Sequence, residues 1–352
     1  MAVLKETGLE HLWSRISEKL DTKVDKTDLE NNYPYLRVKR AESKLPVEVD
    51  WINIAYGNGT FVAISYNSDV AAYSKDGIEW IETTMPMSAT WRRVTFGGDK
   101  FVAIAESGEY IAYTYDGITW TDTAYSYGTG TGTFTDICYG NNKFVIVGGF
   151  SGNAECLLYS EDGITWSTCS RVSTANLVLE SVCYGGGKFV AVPNNSQVGY
   201  YSDDGTIWTA MNMPGSAFYT GIYYGNGLYI ATVGNNNAYA YSSDGITWSV
   251  NNFYEVAWYT DVFFAKDKFI VTANDNDCVL YGVDGINWEV INTGVRGDWS
   301  SITYGDDRFM IIGRNNSTIL NSTNCINWKT EYAEILQGDV IVTDDVRAAL
   351  NI

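Results

Sequence analysis

Aromatic rings and side-chain amides, not nucleophiles, dominate the residues of this sequence with the means to contact a ligand. Trp51, Trp91, Phe134, Leu179, Tyr219, Tyr259 and Trp299 recur at steps of 40 to 45 residues, and six of the seven are aromatic. Rings at such positions stack on sugar faces, with Asn and Asp taking the hydroxyls, or else fill a core between repeated elements. Tyr125, Tyr127, Trp258, Asn235 and Asn236 stand in segments rich in Tyr, Trp, Asn, Ser and Gly. Rigid aromatics beside small polar groups suit a contact surface.

Bond-breaking chemistry finds less material. His11 is the one histidine, so there is no Cys–His dyad, and no phosphate-binding loop is present. The cysteines (138, 156, 169, 183, 278 and 325) form no C-x-x-C pair, which leaves no zinc spacing. No metal and no cofactor are expected. Asp136 and Asp261 are carboxylates that could meet across a channel. The arginines of the repeat region are Arg92, Arg93, Arg171, Arg296, Arg308 and Arg314, and no set of them recurs beside a Tyr/Glu pair. The expectation is a protein that is not an enzyme.

The elements that carry these residues repeat. Trp80, Trp120, Trp166, Trp208, Trp248, Trp288 and Trp328 close units of 40 to 46 residues. Periods of that size mark propellers or solenoids. Within each unit an apolar run ends in an aromatic, a Gly/Asn/Asp turn follows, and a second apolar run begins at an aromatic, as in Ile54, Tyr56, Gly57-Asn58-Gly59 and Phe61-Val62-Ala63-Ile64. Such turns need positive φ. A third short strand leads to Asp76-Gly77, and a fourth starts at Trp80. Four short strands per unit is a propeller blade. The expected fold is therefore all-β: a seven-bladed β-propeller over residues 51–328.

Ser74-x-Asp76-Gly77-x-x-Trp80 recurs through Asp116, Asp162, Asp204, Asp244 and Asp284, and decays to Asn324-Cys325 in the last unit. The pattern resembles the Asp-box repeat of sialidase-like and related propellers over residues 51–328. It departs from that box in having Asp and Gly adjacent. The resemblance implies structural turns and invites a glycosidase reading with three arginines, a Tyr/Glu pair and an Asp.

Strand parity puts the near-constant turns (between the first and second, and third and fourth, strands) on one face. The variable connections fall on the other, and that face is expected to recognise the ligand. Ahead of the repeats, Thr7-x-x-Glu10 is a capping box, followed by Leu9, Leu12, Ile16 and Leu20 at helical spacing. The expectation is a short helical attachment segment at 1–32 that oligomerises, a linker at 33–50, and a strand with a capped turn at 329–352. Val3 to Lys26 resembles the N-terminus of phage and prophage tail-fibre and receptor-binding proteins. That resemblance implies attachment to other tail or baseplate proteins, a trimer by analogy, and residence in a virion. The charged N-terminus has no apolar signal core.

A net charge of −19 argues against nucleic acid as a partner. No apolar run is long enough to span a membrane. These readings converge on a host-surface adhesion protein whose variable face binds a bacterial surface glycan or protein. The alternatives are a structural tail component without receptor contact and a sialidase-like hydrolase.

Overall fold

The computed structural model describes residues 38–108, 110–123, 125, 132–150, 154–170, 177–234 and 236–335. The helix expected within 1–32 and the strand expected at 340–342 lie outside them, and the described residues contain no helix. The chain divides into two units. One contains a two-stranded antiparallel sheet, β1 (Val38–Glu42) with β26 (Glu331–Ile335). Part of the expected linker is therefore a strand.

The other unit, residues 43–330, is an all-β propeller. Its first sheet is β2 (Trp51–Gly57), β3 (Thr60–Ser65), β4 (Ser68–Ser74) and β5 (Ile81–Ala89). The second is β6 (Trp91–Gly97), β7 (Lys100–Ala105), β8 (Ile111–Thr114) and β9 (Thr121–Asp122). The third is β10 (Gly132–Gly140), β11 (Lys143–Phe150), β12 (Ala154–Ser160) and β13 (Ser167–Thr168). The fourth has six strands: β14 (Leu179–Gly185), β15 (Lys188–Ser202), β16 (Thr209–Gly225), β17 (Leu228–Val233), β18 (Asn236–Ser242) and β19 (Ser249–Ala257). So has the fifth: β20 (Tyr259–Ala265), β21 (Lys268–Ala273), β22 (Asn276–Gly282), β23 (Glu289–Gly305), β24 (Arg308–Arg314) and β25 (Ile319–Ser322).

Counted by hydrogen-bonded sheets, the propeller has five blades, which corrects the expected seven separate four-stranded ones. The cause is strand continuity. In β16, Thr209–Phe218 pairs with β15, while Tyr219–Gly225 pairs with β17, so one strand serves two consecutive sequence repeats. Glu289–Gly297 and Asp298–Gly305 of β23 do the same for β22 and β24. The connections at Met213–Ala217 and Thr293–Gly297 lie within one continuous strand, so two repeats share a sheet there.

The turn chemistry is as the residue types require. Asn58 and Gly59 adopt φ of 48° and 69°, and Asn226 and Gly227 adopt 47° and 78°. In the Asp-Gly turn, Asp244 Oδ1 accepts from Ile246 N (2.8 Å) and Thr247 N (2.7 Å), and Ser242 Oγ accepts from Gly245 N (2.9 Å). Among the described residues, the N-terminal side of the unit joins its last sheet: Leu45 N donates to Ser317 O (2.8 Å) and Ser43 N to Thr330 O (3.0 Å).

The innermost strands surround a channel of about 550 Å³. Each has a backbone N–H facing the channel with no further strand to accept it, and a buried donor needs a partner. A circle of side chains accepts these donors. Asn53 Oδ1 accepts from Val94 N (2.8 Å), Ser181 Oγ from Ile222 N (3.3 Å), and Ser301 Oγ from Ile54 N (3.4 Å). Asp136 Oδ2 accepts from Val182 N (2.9 Å) and Asp261 Oδ2 from Ile302 N (3.4 Å).

Arg93 offers no acceptor and Gly221 no side chain. At the next strand, Asp136 and Asp261 therefore also use Oδ1, on Ile137 N (2.8 Å) and Val262 N (2.9 Å). Asn53 Nδ2 donates to Ser301 Oγ (2.8 Å) and closes the circle. The two aspartates are committed acceptors of the fold. Burial pushes Asp261 up to about 6, against the opposing field of Arg93.

At the constant-turn end of the channel, Tyr56, Phe96, Tyr139, Tyr184, Tyr224, Phe264 and Tyr304 form a second circle. Each packs on the aromatic that begins the next strand, with ring centroids 4.5 to 4.9 Å apart. Glycine makes the room: a Cβ on Gly140 would lie 2.1 Å from Tyr184 Cγ.

Candidate functional site

The mouth of the channel at its variable-loop end forms a pocket of about 270 Å³. The residues that shape it come from a register shift shared by all the inner strands. A bulge lies between Trp51 and Asn53, Trp91 and Arg93, Leu179 and Ser181, Tyr219 and Gly221, Tyr259 and Asp261, and Trp299 and Ser301. A β-bulge leaves one residue unpaired and re-aims its side chain. The residues so released are Ile52, Arg92, Glu180, Thr220, Thr260 and Ser300, with Thr135 at the equivalent shift between Phe134 and Asp136; all but Thr135 line the pocket.

The aromatics one position earlier turn the other way. Trp51, Trp91, Phe134 and Trp299 are at most 1% exposed, and Tyr219 and Tyr259 are 2% exposed. The indole N–H groups of Trp51, Trp91 and Trp299 donate to the carbonyls of Val47, Met87 and Asn276 at 3.0 to 3.1 Å. These six rings pack between sheets and present no face to a ligand; the expected mouth ring is one residue out of register. Of the expected loop residues, Tyr125 is half-buried against Phe134, with centroids 6.4 Å apart. Asn236 is exposed, and its Oδ1 accepts from Ala238 N (3.3 Å). Tyr127 and Asn235 lie outside the described residues. Trp258 does line the pocket: it is 43% exposed and its ring leans on Phe218 at 5.8 Å.

Facing this aromatic wall is a set of charges that no sequence spacing revealed. Arg92, Arg93 and Arg314 all line the pocket, beside Tyr66. Tyr66 Oη donates to Glu106 Oε2 (3.2 Å), and the Arg314 guanidinium lies 5.8 Å from the Tyr66 ring centre. The absence of an arginine set near a Tyr/Glu pair, expected from sequence, is therefore corrected. Such residues arrive from different sheets, so linear spacing carries no trace of them; the one available signal was charge at the bulge positions Arg92 and Glu180.

Each guanidinium already has carboxylate company. Arg92 pairs with Glu180 and with Glu106 (3.1 Å), Arg93 with Asp136 (3.5 Å), and Arg314 with Asp50 (3.9 Å). Burial works against the Arg92 charge, but Glu180 and Glu106 outweigh it and raise its pKa. Burial also raises Asp50, and raises Tyr66 with help from Glu106. Two buried acceptors, Asp50 Oδ1 and Asn274 Oδ1, have no hydrogen-bond partner, and Asn274 is on the pocket wall. Four carboxylates around three arginines leave little attraction for an anion. What the wall offers instead is acceptors and the exposed ring of Trp258.

Solved structures with this architecture are β-propellers of diverse kinds. YCF48 bound to D1 peptide is 16% identical with a TM-score of 0.62, covering 81% of this chain and 95% of that one. A catalytically inactive virginiamycin B lyase from Staphylococcus aureus, with quinupristin, is 11% identical with a TM-score of 0.69, over 80% and 98%. BamB from Moraxella catarrhalis is 12% identical with a TM-score of 0.53, over 78% and 85%. Such identities carry the fold alone, and neighbours that include both an enzyme and non-enzymatic propellers do not decide between catalysis and binding. No protein-family model and no curated protein matches the chain.

Proposed function

We propose that this chain is a binding propeller for host-surface adhesion, and that its channel mouth seats a neutral, hydroxyl-bearing sugar unit of a bacterial surface glycan. The observation that carries this reading is the half-exposed Trp258 ring on Phe218, set opposite arginines whose charges are already balanced. The tail-fibre-like segment at 1–32 supplies the attachment in this reading, and several propellers on one particle multiply a weak single contact. YCF48 with its D1 peptide and the lyase with quinupristin are propellers with ligands, which makes a protein receptor the nearest variant of the same idea.

The test is adsorption of the isolated protein to host cells and extracted cell-wall glycans. Trp258→Ala is expected to weaken binding at least tenfold, while Asn58→Ala on the opposite turn face leaves it unchanged. Equal losses, or no adsorption to any host surface, refute the reading.

One observation favours a second reading, a sialidase-like hydrolase: the Tyr66–Glu106 hydrogen bond beside Arg92 and Arg314. Turnover of a sialoside that disappears in Glu106→Gln would replace binding with catalysis.

A further inference from the structure

We infer that the opposite end of the channel is a second ligand site, an aromatic collar that takes an organic cation: the ammonium or guanidinium group of a basic protein segment. The collar rings line the channel and are only partly buried. A ring face carries negative quadrupole density and attracts a cation within about 6 Å of its centre.

The surroundings have the matching sign. The short turns of this face carry thirteen carboxylates against seven basic side chains. Five of those basic groups already sit on carboxylates: Lys100 on Asp99, Lys143 on Glu161, Lys188 on Asp203, Lys266 on Asp307 and Arg308 on Asp306. The surplus is supplied mostly by the aspartates of the Asp-Gly turns. These remain ionised through the neutral range, since backbone N–H groups hold Asp244 at about 2.

The chain itself shows the contact at one position. Lys266 Nζ lies 5.6 Å from the Tyr304 ring centre and 3.0 Å from Asp307 Oδ1, and Tyr304 Oη donates to the same oxygen (2.8 Å). An ammonium against a collar ring is the arrangement an incoming cation would repeat at Tyr139 and Tyr184, where Gly98 and Asn141 stand in the place of Lys266. The site is independent of the glycan mouth, because it is built from the other ends of the inner strands.

The experiment uses the full chain with ¹³C-labelled tyrosine rings. Tetramethylammonium is titrated against tert-butanol as the neutral isostere, and an octalysine peptide follows at low and physiological salt. Saturable shifts of the Tyr139 and Tyr184 rings with the cation, and none with the alcohol, are expected. Octalysine binding is expected to fall about tenfold in Tyr139→Leu/Tyr184→Leu, from two lost ring contacts, and to stay within twofold in Tyr139→Phe/Tyr184→Phe. Equal shifts with tert-butanol, no saturable shift at all, or equal losses in the Leu and Phe variants would overturn the inference. Should the Leu variant not fold, the wild-type titration and the Phe variant decide it alone.

Discussion

Replacing Asn53 with alanine should loosen the propeller at its closure. Asn53 is 7% exposed and links the first inner strand to both neighbours, donating to Ser301 Oγ and accepting from Val94 N, each at 2.8 Å. Two lost hydrogen bonds cost about 1 to 3 kcal/mol together. The orphaned Val94 N–H faces a channel of about 550 Å³, wide enough for water to take it, so the burial penalty is mostly avoided. The net expectation is a loss of about 2 kcal/mol. Asn53→Asp is the control, since Asp136 at the equivalent place already accepts from both Ser181 Oγ (2.6 Å) and a backbone N–H. Urea unfolding at pH 7, followed by tryptophan fluorescence, should show a clear drop in midpoint for the alanine variant and less than half of it for the aspartate. An alanine variant within about 0.5 kcal/mol of wild type, or equal losses in both, would mean that the side-chain circle does not hold the ring shut.

Three further outcomes follow from the same circle and turns. Gly221→Ser places a side chain where the circle has a gap; a Cβ there meets nothing closer than 3.4 Å, so the urea midpoint should rise by about 0.5 to 1 kcal/mol. The Asp-Gly carboxylates govern acid stability. The Thr247 and Ile246 N–H groups depress Asp244 to about 2 when folded, so its contribution is complete above pH ~4 and is lost as pH falls toward 2. Asp244→Asn keeps the acceptor, as Asn324 does in the last turn, but not the charge, so it should flatten the acid limb of a stability–pH curve by lowering stability at pH 7 and leaving it near wild type at pH 2. Asp261 has the opposite sign: raised to about 6 by burial, it favours the folded state below pH ~4 and loses that contribution as pH rises through 6. Asp261→Asn should therefore gain stability relative to wild type at pH 7 but not at pH 4, measured by thermal unfolding at both.

The arginine–tyrosine–glutamate gathering at the mouth shows where reading a sequence stops. Tyr66, Arg92, Glu106, Glu180 and Arg314 come from four different sheets, and their meeting depends on which inner strands end beside one another around the channel. The aromatic ring was visible as a period, yet its side chains face the core, because the bulge that follows each of them moves the exposed position on by one residue. Parity counted along an unbroken strand cannot anticipate an inserted residue.

Local chemistry, by contrast, was legible. Asn58-Gly59 and Asn226-Gly227 announce positive φ, and Asp-Gly with an upstream Ser or Thr announces a turn whose N–H groups the side chains accept. The seven tryptophans announce repeating four-stranded units, and the chain is an all-β propeller. Each of these depends on residues within a few positions of one another, where covalent geometry restricts the outcome. How the repeats are shared among five sheets, which segment closes the ring and which side chains line the two channel ends depend on contacts between residues up to about 250 positions apart, such as Asn53 with Ser301. Those contacts exist only once the inner strands stand around one channel, where each N–H left without a strand must find a side chain instead.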